Sequence, residues 1–212
     1  MPELLDVYNL SGAFLQTMDR DIYYQESLQE FIKTGQISRQ VKTVRVMLMN
    51  SQGRLYVQKR SSSKDGNSGL YDKTVGGHAK SGTSYSLTVV QECAEELGIP
   101  AAVLPDEEFA SAIQTVDLRT IAVLRQLRVV NAYLSRRKTK TGEYYMQPHL
   151  TAFYVGYFDG PIRFCDGEAV GILTFSLEEL NAEVKSSPQL FTQDIHYILK
   201  EMSDVLKPLK IA

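Results

Sequence analysis

The chain has 212 residues, of which 43% are hydrophobic and 23% are charged, a composition typical of a globular protein with one main core. Its 23 basic and 25 acidic side chains leave a net charge of −2, which gives no electrostatic basis for binding a nucleic-acid polymer. No apolar run reaches the roughly 20 residues that cross a bilayer, the acidic first residues do not form a signal peptide, and two cysteines cannot form a disulfide framework. We therefore expect a soluble, cytoplasmic protein without nucleic-acid or membrane partners.

The N-terminal half of the chain contains both strand-like and helix-like periodicity. Alternating apolar residues predict strands, apolar residues three or four apart predict helices, and polar stretches with glycine predict the loops between them. In chain order, the predicted elements are a strand at 4–8, a helix at 25–33, a hairpin of strands at 41–49 and 55–57, a polar loop at 61–69 and a helix at 84–97. The last helix is predicted to end at Gly98, and its apolar stripe consists of Leu87, Val90, Cys93 and Leu97.

The C-terminal half adds further strands and helices. Residues 109–130 fit either a helix or paired strands, and both interpretations stay open. Ser176 and Glu179 have the spacing of a capping box and predict the start of a helix. Other elements are predicted as strands at 150–158 and 172–175 and a final helix at 193–209. The apolar face of that helix either closes the core or forms a homodimer surface; it consists of Ile195, Leu199, Met202 and Leu206. Strands and helices mix without strict alternation, which predicts an α/β (mixed α+β) fold class.

Three carboxylates on the helix at 84–97 indicate a chemical role. Glu92, Glu95 and Glu96 follow i, i+3, i+4 spacing, so they are neighbours on the helix surface. Like charges at these spacings destabilise a helix by roughly 0.2–0.5 kcal/mol a pair, and the macrodipole disfavours anions near the C-terminal end. A divalent cation such as Mg²⁺ or Mn²⁺ would offset both effects, since it prefers oxygen ligands. The alternative is a solvated acidic face.

The segment from Gly77 to Ile99 resembles the Nudix box, G-x5-E-x7-R-E-U-x-E-E-x-G-U, where U is a bulky apolar residue. The matching positions are Gly77, Glu92, Cys93, Glu95, Glu96, Gly98 and Ile99. The box is degenerate, because Thr83 stands where the family has Glu and Gln91 stands where it has Arg. Flanking stretches are similar to the Nudix branch that resembles isopentenyl-diphosphate isomerase; they lie at 50–60, 64, 69–72, 74–78, 159–161, 167–168 and 175–180.

This resemblance implies a fold and a domain layout. It implies a Nudix α/β/α sandwich with a mixed central sheet and additions at both ends. We expect an N-terminal extension at 1–40, the Nudix domain at 41–185 and a C-terminal helix at 186–212.

The resemblance also implies a reaction. A Mg²⁺- or Mn²⁺-dependent pyrophosphohydrolase would cleave the diphosphate linkage of a small nucleoside-diphosphate-type compound by attack of water at phosphorus. Glu92, Glu95 and Glu96 would then bind the metal, and one of them would accept a proton from water. Glu168 is a further candidate for the base.

Two other functions stay open. Thr83 and Gln91 favour a catalytically weak or inactive ligand-binding protein, because neither side chain can take over the charge of the residue it replaces. An isoprenoid diphosphate isomerase is disfavoured, since the cysteine expected before Gly-His is Gly76 here.

The substrate-binding candidates surround the glycines. Arg60 and Lys64 are predicted to contact phosphates, although each is also compatible with a cation at a strand end or loop. Gly77 would permit close approach of the backbone, and His78 is either a ligand or a simple loop histidine. A basic and aromatic segment at 133–145 either grips a polyanionic or aromatic part of the substrate or forms a solvated loop; it contains Tyr133, Arg136, Arg137, Lys138, Lys140, Tyr144 and Tyr145.

Overall fold

The computed structural model of the protein describes residues 2–62, 67–138, 143–163, 167 and 169–209. The strands are β1 (Leu4–Asn9), β2 (Phe14–Asp19), β3 (Arg39–Met49), β4 (Leu55–Arg60), β5 (Tyr71–Asp72), β6 (Ala101–Val103), β7 (Ala122–Lys138), β8 (Tyr144–Tyr157) and β9 (Ala169–Phe175). The helices are α1 (Arg20–Thr34), α2 (Tyr85–Leu97), α3 (Asp106–Thr115), α4 (Leu177–Ser186) and α5 (Gln193–Met202). Among these described residues, no helix is both long and apolar enough to cross a membrane.

The strands that the structure describes form a single mixed sheet. Its main path runs β2-β1-β3-β8-β7-β6, and β4 extends it from the end of β3 and carries β5 and β9. The β3–β8 and β6–β7 pairs are parallel, whereas the β7–β8 pair is antiparallel. The N-terminal hairpin is part of this sheet, because Val7 of β1 pairs with Val41 of β3.

The central strand β3 divides the core into two layers, because successive side chains of a strand point to opposite faces. On one face its even-numbered residues Val44, Val46 and Leu48 are fully buried against α2. On the other face Met47 and Met49 belong to the cluster that includes α5, and Val41 packs with Tyr23 of α1. Burial of each such side chain contributes about 1.5–3 kcal/mol. The predicted α/β/α sandwich with a mixed sheet is confirmed.

Helix α2 forms where the sequence predicts it, but its buried face differs from the prediction. Ser84 caps its start by accepting a hydrogen bond from the Leu87 amide at 3.2 Å, and Gly98 ends it in the left-handed region at φ 65°. Leu87 is 50% exposed, so its predicted place in the core is wrong. The buried line contains Val89 together with Cys93 and Leu97, which is the i, i+4, i+8 row of the helix.

Other ambiguities of the sequence are resolved. Residues 109–130 contain both alternatives, because α3 ends at Thr115 and β7 begins at Ala122. The capping box of α4 is present, with Ser176 and Glu179 each accepting the other's backbone hydrogen bond. The final helix ends at Met202, earlier than predicted. The apolar residues of the predicted helix close the core of the chain itself, including Leu206 beyond its observed end; they are Ile195, Leu199, Met202 and Leu206.

The β7–β8 hairpin is long and contains a bulge. The pairing shifts between Val130 and Tyr133, where Ala132 has φ 51°. The side chain of Gln40 holds this bulge, because its Oε1 accepts from the Ala132 amide at 2.9 Å and its Nε2 donates to Asn131 Oδ1 at 2.7 Å. The basic and aromatic segment at 133–145 therefore consists largely of two strands; of that segment, residues 139–142 and the Lys138 side chain lie outside the description.

Candidate active site

Residues 74–82, which we call the glycine loop, run along the edge of β3 before α2 begins. The Val44 amide donates to the Gly77 carbonyl at 2.9 Å, and the Ala79 amide donates to the Lys42 carbonyl at 3.0 Å. These backbone bonds continue the sheet and fix the loop on the same side of β3 as the hairpin β1–β2. Because α2 follows immediately, the loop places two glycines beside the helix that carries the three glutamates.

Two of the three predicted metal ligands converge on this loop. The Glu92 carboxylate lies so close to Gly77 that a Cβ atom there would overlap it. Glu96 is 5% exposed, and its carboxylate accepts a hydrogen bond from the Gly76 amide at 3.3 Å. Glu95 instead lies at the surface, where its side chain is 59% exposed and 3.9 Å from Lys80 Nζ.

The carboxylate pair has donor chemistry that fits a hard divalent cation. Mg²⁺ and Mn²⁺ are commonly bound through one or two carboxylates, with water and phosphate oxygens in the remaining positions. Glu92 and Glu96 are one helical turn apart, and their carboxylate oxygens lie against the same loop. Within the described part of the chain, no set of three or more His, Cys, Asp or Glu side chains is close enough to hold an ion. The described geometry therefore brings two of the three predicted ligands to the loop and leaves Glu95 at the surface of the same helix.

Cys93 lies between these glutamates on the buried side of α2. Burial, followed by the negative charges of Glu96 and Glu92, raises the pKa of its thiol to about 12. The thiol is therefore a protonated core group, as the sequence predicts, and takes no part in the site.

A carboxylate from the N-terminal segment anchors the turn before α2. Asp6 of β1 accepts from the Ser81 hydroxyl at 2.6 Å and from the Gly82 amide at 3.2 Å. Burial alone would raise the pKa of Asp6, but the hydrogen bonds from Ser81, Gly82 and Thr17 outweigh it and hold the pKa below its ordinary value. The sequence offered no signal for this contact, because 75 residues separate Asp6 from Ser81.

Behind the glycine loop, on the face of α5, lies a set of paired charges that we call the buried charge network. Its members are Arg45, Arg60, Asp72, Lys73 and Asp194. Lys73 Nζ lies 2.9 Å from Asp72 Oδ2 and 2.8 Å from Asp194 Oδ2. Arg45 Nε lies 2.8 Å from the same Asp194 oxygen. Burial would raise the pKa of Asp194, but Arg45 and Lys73 hold it well below its ordinary range.

This network includes one of the predicted phosphate ligands. Arg60 lies with its Nη1 3.3 Å from Asp72 Oδ2, so part of its charge is engaged by a buried carboxylate. The aliphatic part of Lys73 packs against Gly76, where a Cβ atom would overlap it. One glycine therefore separates the Lys73 cation from the Glu96 carboxylate. The other predicted phosphate ligand, Lys64, and the predicted base, Glu168, lie outside the described residues.

The predicted ligand His78 belongs to a cluster that the sequence analysis did not assemble. The Tyr24 hydroxyl of α1 lies 2.5 Å from His78 Nε2 and 3.2 Å from His149 Nε2, and it accepts a hydrogen bond from Arg137 at 2.8 Å. Burial, followed by the charge of Arg137, lowers the pKa of both histidines well below the ordinary 6.5. Both imidazoles are therefore neutral at pH 7.

Sequence reasoning missed Asp194 and Arg45, yet each carried a detectable signal. Asp194 is a charged residue directly before the buried Ile195 on the apolar face of α5, and Arg45 interrupts the buried apolar stretch 44–49 of β3. Buried charges occur in proteins almost only as pairs. The two anomalies could therefore have been matched to each other.

Comparison with known proteins assigns a family to these features. The family model of the NUDIX domain matches residues 39–195. A curated relative, the uncharacterized Nudix hydrolase PA4841 of Pseudomonas aeruginosa, is 42% identical over 59 residues. That match covers 28% of this chain and 35% of the relative, so the chain matches about one third of the length of that protein.

Solved structures share the fold. DR0079 from Deinococcus radiodurans superposes with a TM-score of 0.64 at 21% identity, over 93% of this chain and 98% of that protein. The NUDIX domain of NrtR from Shewanella oneidensis, solved with ADP ribose, has a TM-score of 0.50 at 15% identity, over 84% of this chain and 98% of that domain. At such identities the likeness concerns the fold.

Proposed function

Because the chain belongs to the Nudix family, we propose that it hydrolyses the diphosphate linkage of a small nucleoside-diphosphate-type compound with Mg²⁺ or Mn²⁺. The observation that carries this proposal is the convergence of Glu92 and Glu96 on Gly76 and Gly77. We further propose that the chain belongs to the branch similar to isopentenyl-diphosphate isomerase, with the degenerate box described above. The domain layout of 1–40, 41–185 and 186–212 and the cytoplasmic location remain part of the proposal.

In this proposal the protein groups have separate roles. A divalent ion, when bound, would supply neutralisation of phosphate charge and activation of the attacking water. Glu92 and Glu96 beside the glycine loop, together with Glu95 at the surface of the same helix, would hold the ion. Water forms a new bond to phosphorus, the bond from that phosphorus to the bridging oxygen breaks, and the proton from water passes to one of these carboxylates or to Glu168. Gly77 leaves room for Glu92, and we assign Arg60, Lys64 and His78 to the phosphate side.

A test removes the two converging carboxylates without changing the shape of the side chains. Product release from dinucleoside polyphosphates, nucleotide sugars, nucleoside triphosphates and coenzyme A is measured with Mg²⁺, with Mn²⁺ and with chelator. We expect turnover that requires metal, and a loss of about 100-fold or more in Glu92→Gln/Glu96→Gln, since metal ligation contributes several kcal/mol to the transition state.

The matched control is Glu107→Gln/Glu108→Gln, which removes the same charge from the exposed start of α3 and should leave turnover unchanged. Equal turnover in the two double variants would refute the proposed role of Glu92 and Glu96.

The second candidate is a ligand-binding protein without turnover, and Thr83 and Gln91 favour it. Both side chains are half-buried, with Thr83 directly after the glycine loop and Gln91 on α2, and neither carries the charge that the family has at its position. If the two departures limit activity, Thr83→Glu/Gln91→Arg raises metal-dependent turnover above that of the natural sequence. Saturable binding with no turnover in either protein would support the second candidate.

A further inference from the structure

A cleft of about 690 Å³ opens between the outer end of the β7–β8 hairpin and the start of α5. This volume lies within the range of roughly 300–1,000 Å³ typical of small-molecule sites. Its described lining combines apolar, aromatic and polar groups, among them Leu70, Arg136, Tyr144, Phe191, Thr192 and His196. None of the glutamates placed at the glycine loop lines it, so the cleft is a separate feature of the molecule.

One wall of the cleft is a stacked pair of planar groups. The guanidinium carbon of Arg136 lies 3.6 Å from the centroid of the Tyr144 ring. Tyr144 is 54% exposed, so the pair lies at the surface of the cleft rather than in the core. A guanidinium stacked on one aromatic ring has a second flat face available for another ring. This wall therefore suits a planar aromatic ligand.

The charge of the cleft favours an anion. Arg136 carries the one permanent charge among the described lining residues, and no described lining residue is acidic. Phe191, a second aromatic residue of the lining, is held by the ring of Tyr71 at 5.3 Å between centroids. A planar aromatic group that bears a phosphate complements both properties.

A continuous series of contacts joins the cleft to the glycine loop. Thr192, in the cleft lining, donates to Asp72 Oδ1 at 2.6 Å, and Asp72 Oδ2 lies 2.9 Å from Lys73 Nζ. Lys73 packs against Gly76, whose amide donates to Glu96. The cleft and the carboxylates are thus linked by contacts through the buried Asp72–Lys73 pair and one glycine.

We propose that this cleft binds the nucleoside end of the substrate, with the base stacked on the Arg136–Tyr144 pair and its adjoining phosphate toward Arg136. The inference rests on the proposed hydrolysis of a nucleoside-diphosphate-type compound for the identity of the rest of the molecule. It assigns selection of the base to the hairpin and breakage of the diphosphate to the glycine loop.

The first experiment measures binding without turnover. AMP, GMP, CMP, UMP and ribose 5-phosphate are titrated into the full chain by calorimetry in the presence of chelator. We expect at least one nucleotide to bind at least tenfold more tightly than ribose 5-phosphate, because stacking of a base on an aromatic ring accounts for about that much affinity or more. If no nucleotide binds at millimolar concentration, or if ribose 5-phosphate binds equally well, the assignment of the cleft is wrong.

Variants at the stacked pair localise the binding. Tyr144→Ala should weaken binding of the preferred nucleotide by about tenfold or more, whereas Tyr144→Phe should retain it because the ring remains. Arg136→Gln should weaken the nucleotide more than the corresponding nucleoside. Leu134→Ala is the matched control, since Leu134 is 46% exposed on the same strand but is not part of the cleft lining. An affinity within twofold of the natural protein for Tyr144→Ala would overturn the proposal.

Turnover then separates this inference from the proposed function. If nucleotide binding depends on Tyr144 but no diphosphate is hydrolysed, the cleft assignment holds and the hydrolase proposal fails. If a diphosphate is hydrolysed with an unchanged KM in Tyr144→Ala, the hydrolase proposal holds and the cleft assignment fails. When both are correct, Tyr144→Ala raises KM by about tenfold while kcat changes little, since the ring contacts the base and not the reacting phosphorus.

Discussion

The two faces of the central sheet carry charge in opposite ways. At the edge of the α2 face, carboxylates of like sign gather on one helix, with Glu92 and Glu96 directed at the glycine loop. On the α5 face, charges of opposite sign alternate within the buried charge network, where each carboxylate contacts at least two cations. The three cations and two carboxylates of the network are paired with one another, and the network serves the fold. The gathered carboxylates gain from an added cation, which is what a metal-dependent reaction requires.

The largest expected effect comes from removing a carboxylate that two cations of the network share. Asp194→Ala leaves Arg45 and Lys73 buried without the carboxylate that they share. Removing one partner of a buried ion pair destabilises a protein by about 3–5 kcal/mol. Urea denaturation followed by circular dichroism measures this loss directly.

The control for that experiment is Asp117→Ala, which removes an exposed carboxylate paired with Arg119. Exposed pairs contribute little to stability because solvent screens them. If Asp194→Ala and Asp117→Ala unfold at the same urea concentration, the buried charge network does not stabilise the fold.

A second substitution acts on the other face and should change activity rather than stability. In Gly77→Ala the new methyl group would overlap the Glu92 carboxylate, which is the flexible end of a side chain and can move away. We expect a change in unfolding free energy below about 1 kcal/mol but a loss of turnover of about 100-fold, as for other misplaced catalytic groups.

Gly171→Ala provides the matched comparison, because no atom lies within 4 Å of the added Cβ. It should leave both turnover and stability unchanged. Full activity in Gly77→Ala would show that the position of the Glu92 carboxylate does not matter for the reaction.

The smallest effect concerns pH and the histidine cluster. The pKa of His78 and of His149 is well below the ordinary 6.5, so the unfolded chain binds protons near pH 6 that the folded chain does not. Stability is therefore fully present above pH 6.5 and is lost as the pH falls below it. Between pH 7.5 and 5.5 each histidine should contribute about 1 kcal/mol to this loss, measured as the difference between urea denaturation curves.

The variant His149→Gln should reduce the loss between pH 7.5 and 5.5, whereas His196→Gln serves as the control. His196 lies outside the cluster, where its Nε2 is 3.0 Å from the Pro188 carbonyl oxygen. A pH dependence that persists unchanged in His149→Gln would contradict the assignment to this histidine.

Local features of the fold could be predicted from the sequence. Three such features depend on residues fewer than about fifteen positions apart: the start and end of α2, the capping box of α4 and the hairpin of β3 and β4. Such patterns are visible because capping and alternation act within one element. Gly76 and Gly77 also lie close to Glu92 in the sequence, as parts of one motif. The prediction of the Nudix family from that motif is confirmed.

The other half of the candidate site could not be predicted, because its contacts join distant parts of the chain. Tyr24 and His149 are 125 positions apart, and Thr192 and Asp72 are 120 apart. No periodicity relates such pairs; only the order of strands in the sheet brings them together. For the same reason the predicted core position of Leu87 is wrong, since the orientation of α2 on the sheet decides which row of residues is buried.

The bulge at Ala132 has a consequence for how this hairpin can change length. Beyond the bulge, side chains alternate between the two surfaces of the β7–β8 ribbon, with Tyr133 buried beside α5 and Leu134 exposed. Adding or deleting a single residue there would exchange the two sets, burying Arg136 and exposing Arg137. Natural or engineered insertions and deletions in the hairpin should therefore involve an even number of residues, or one residue together with loss of the bulge. Variants of this hairpin can be recognised by that even difference in length.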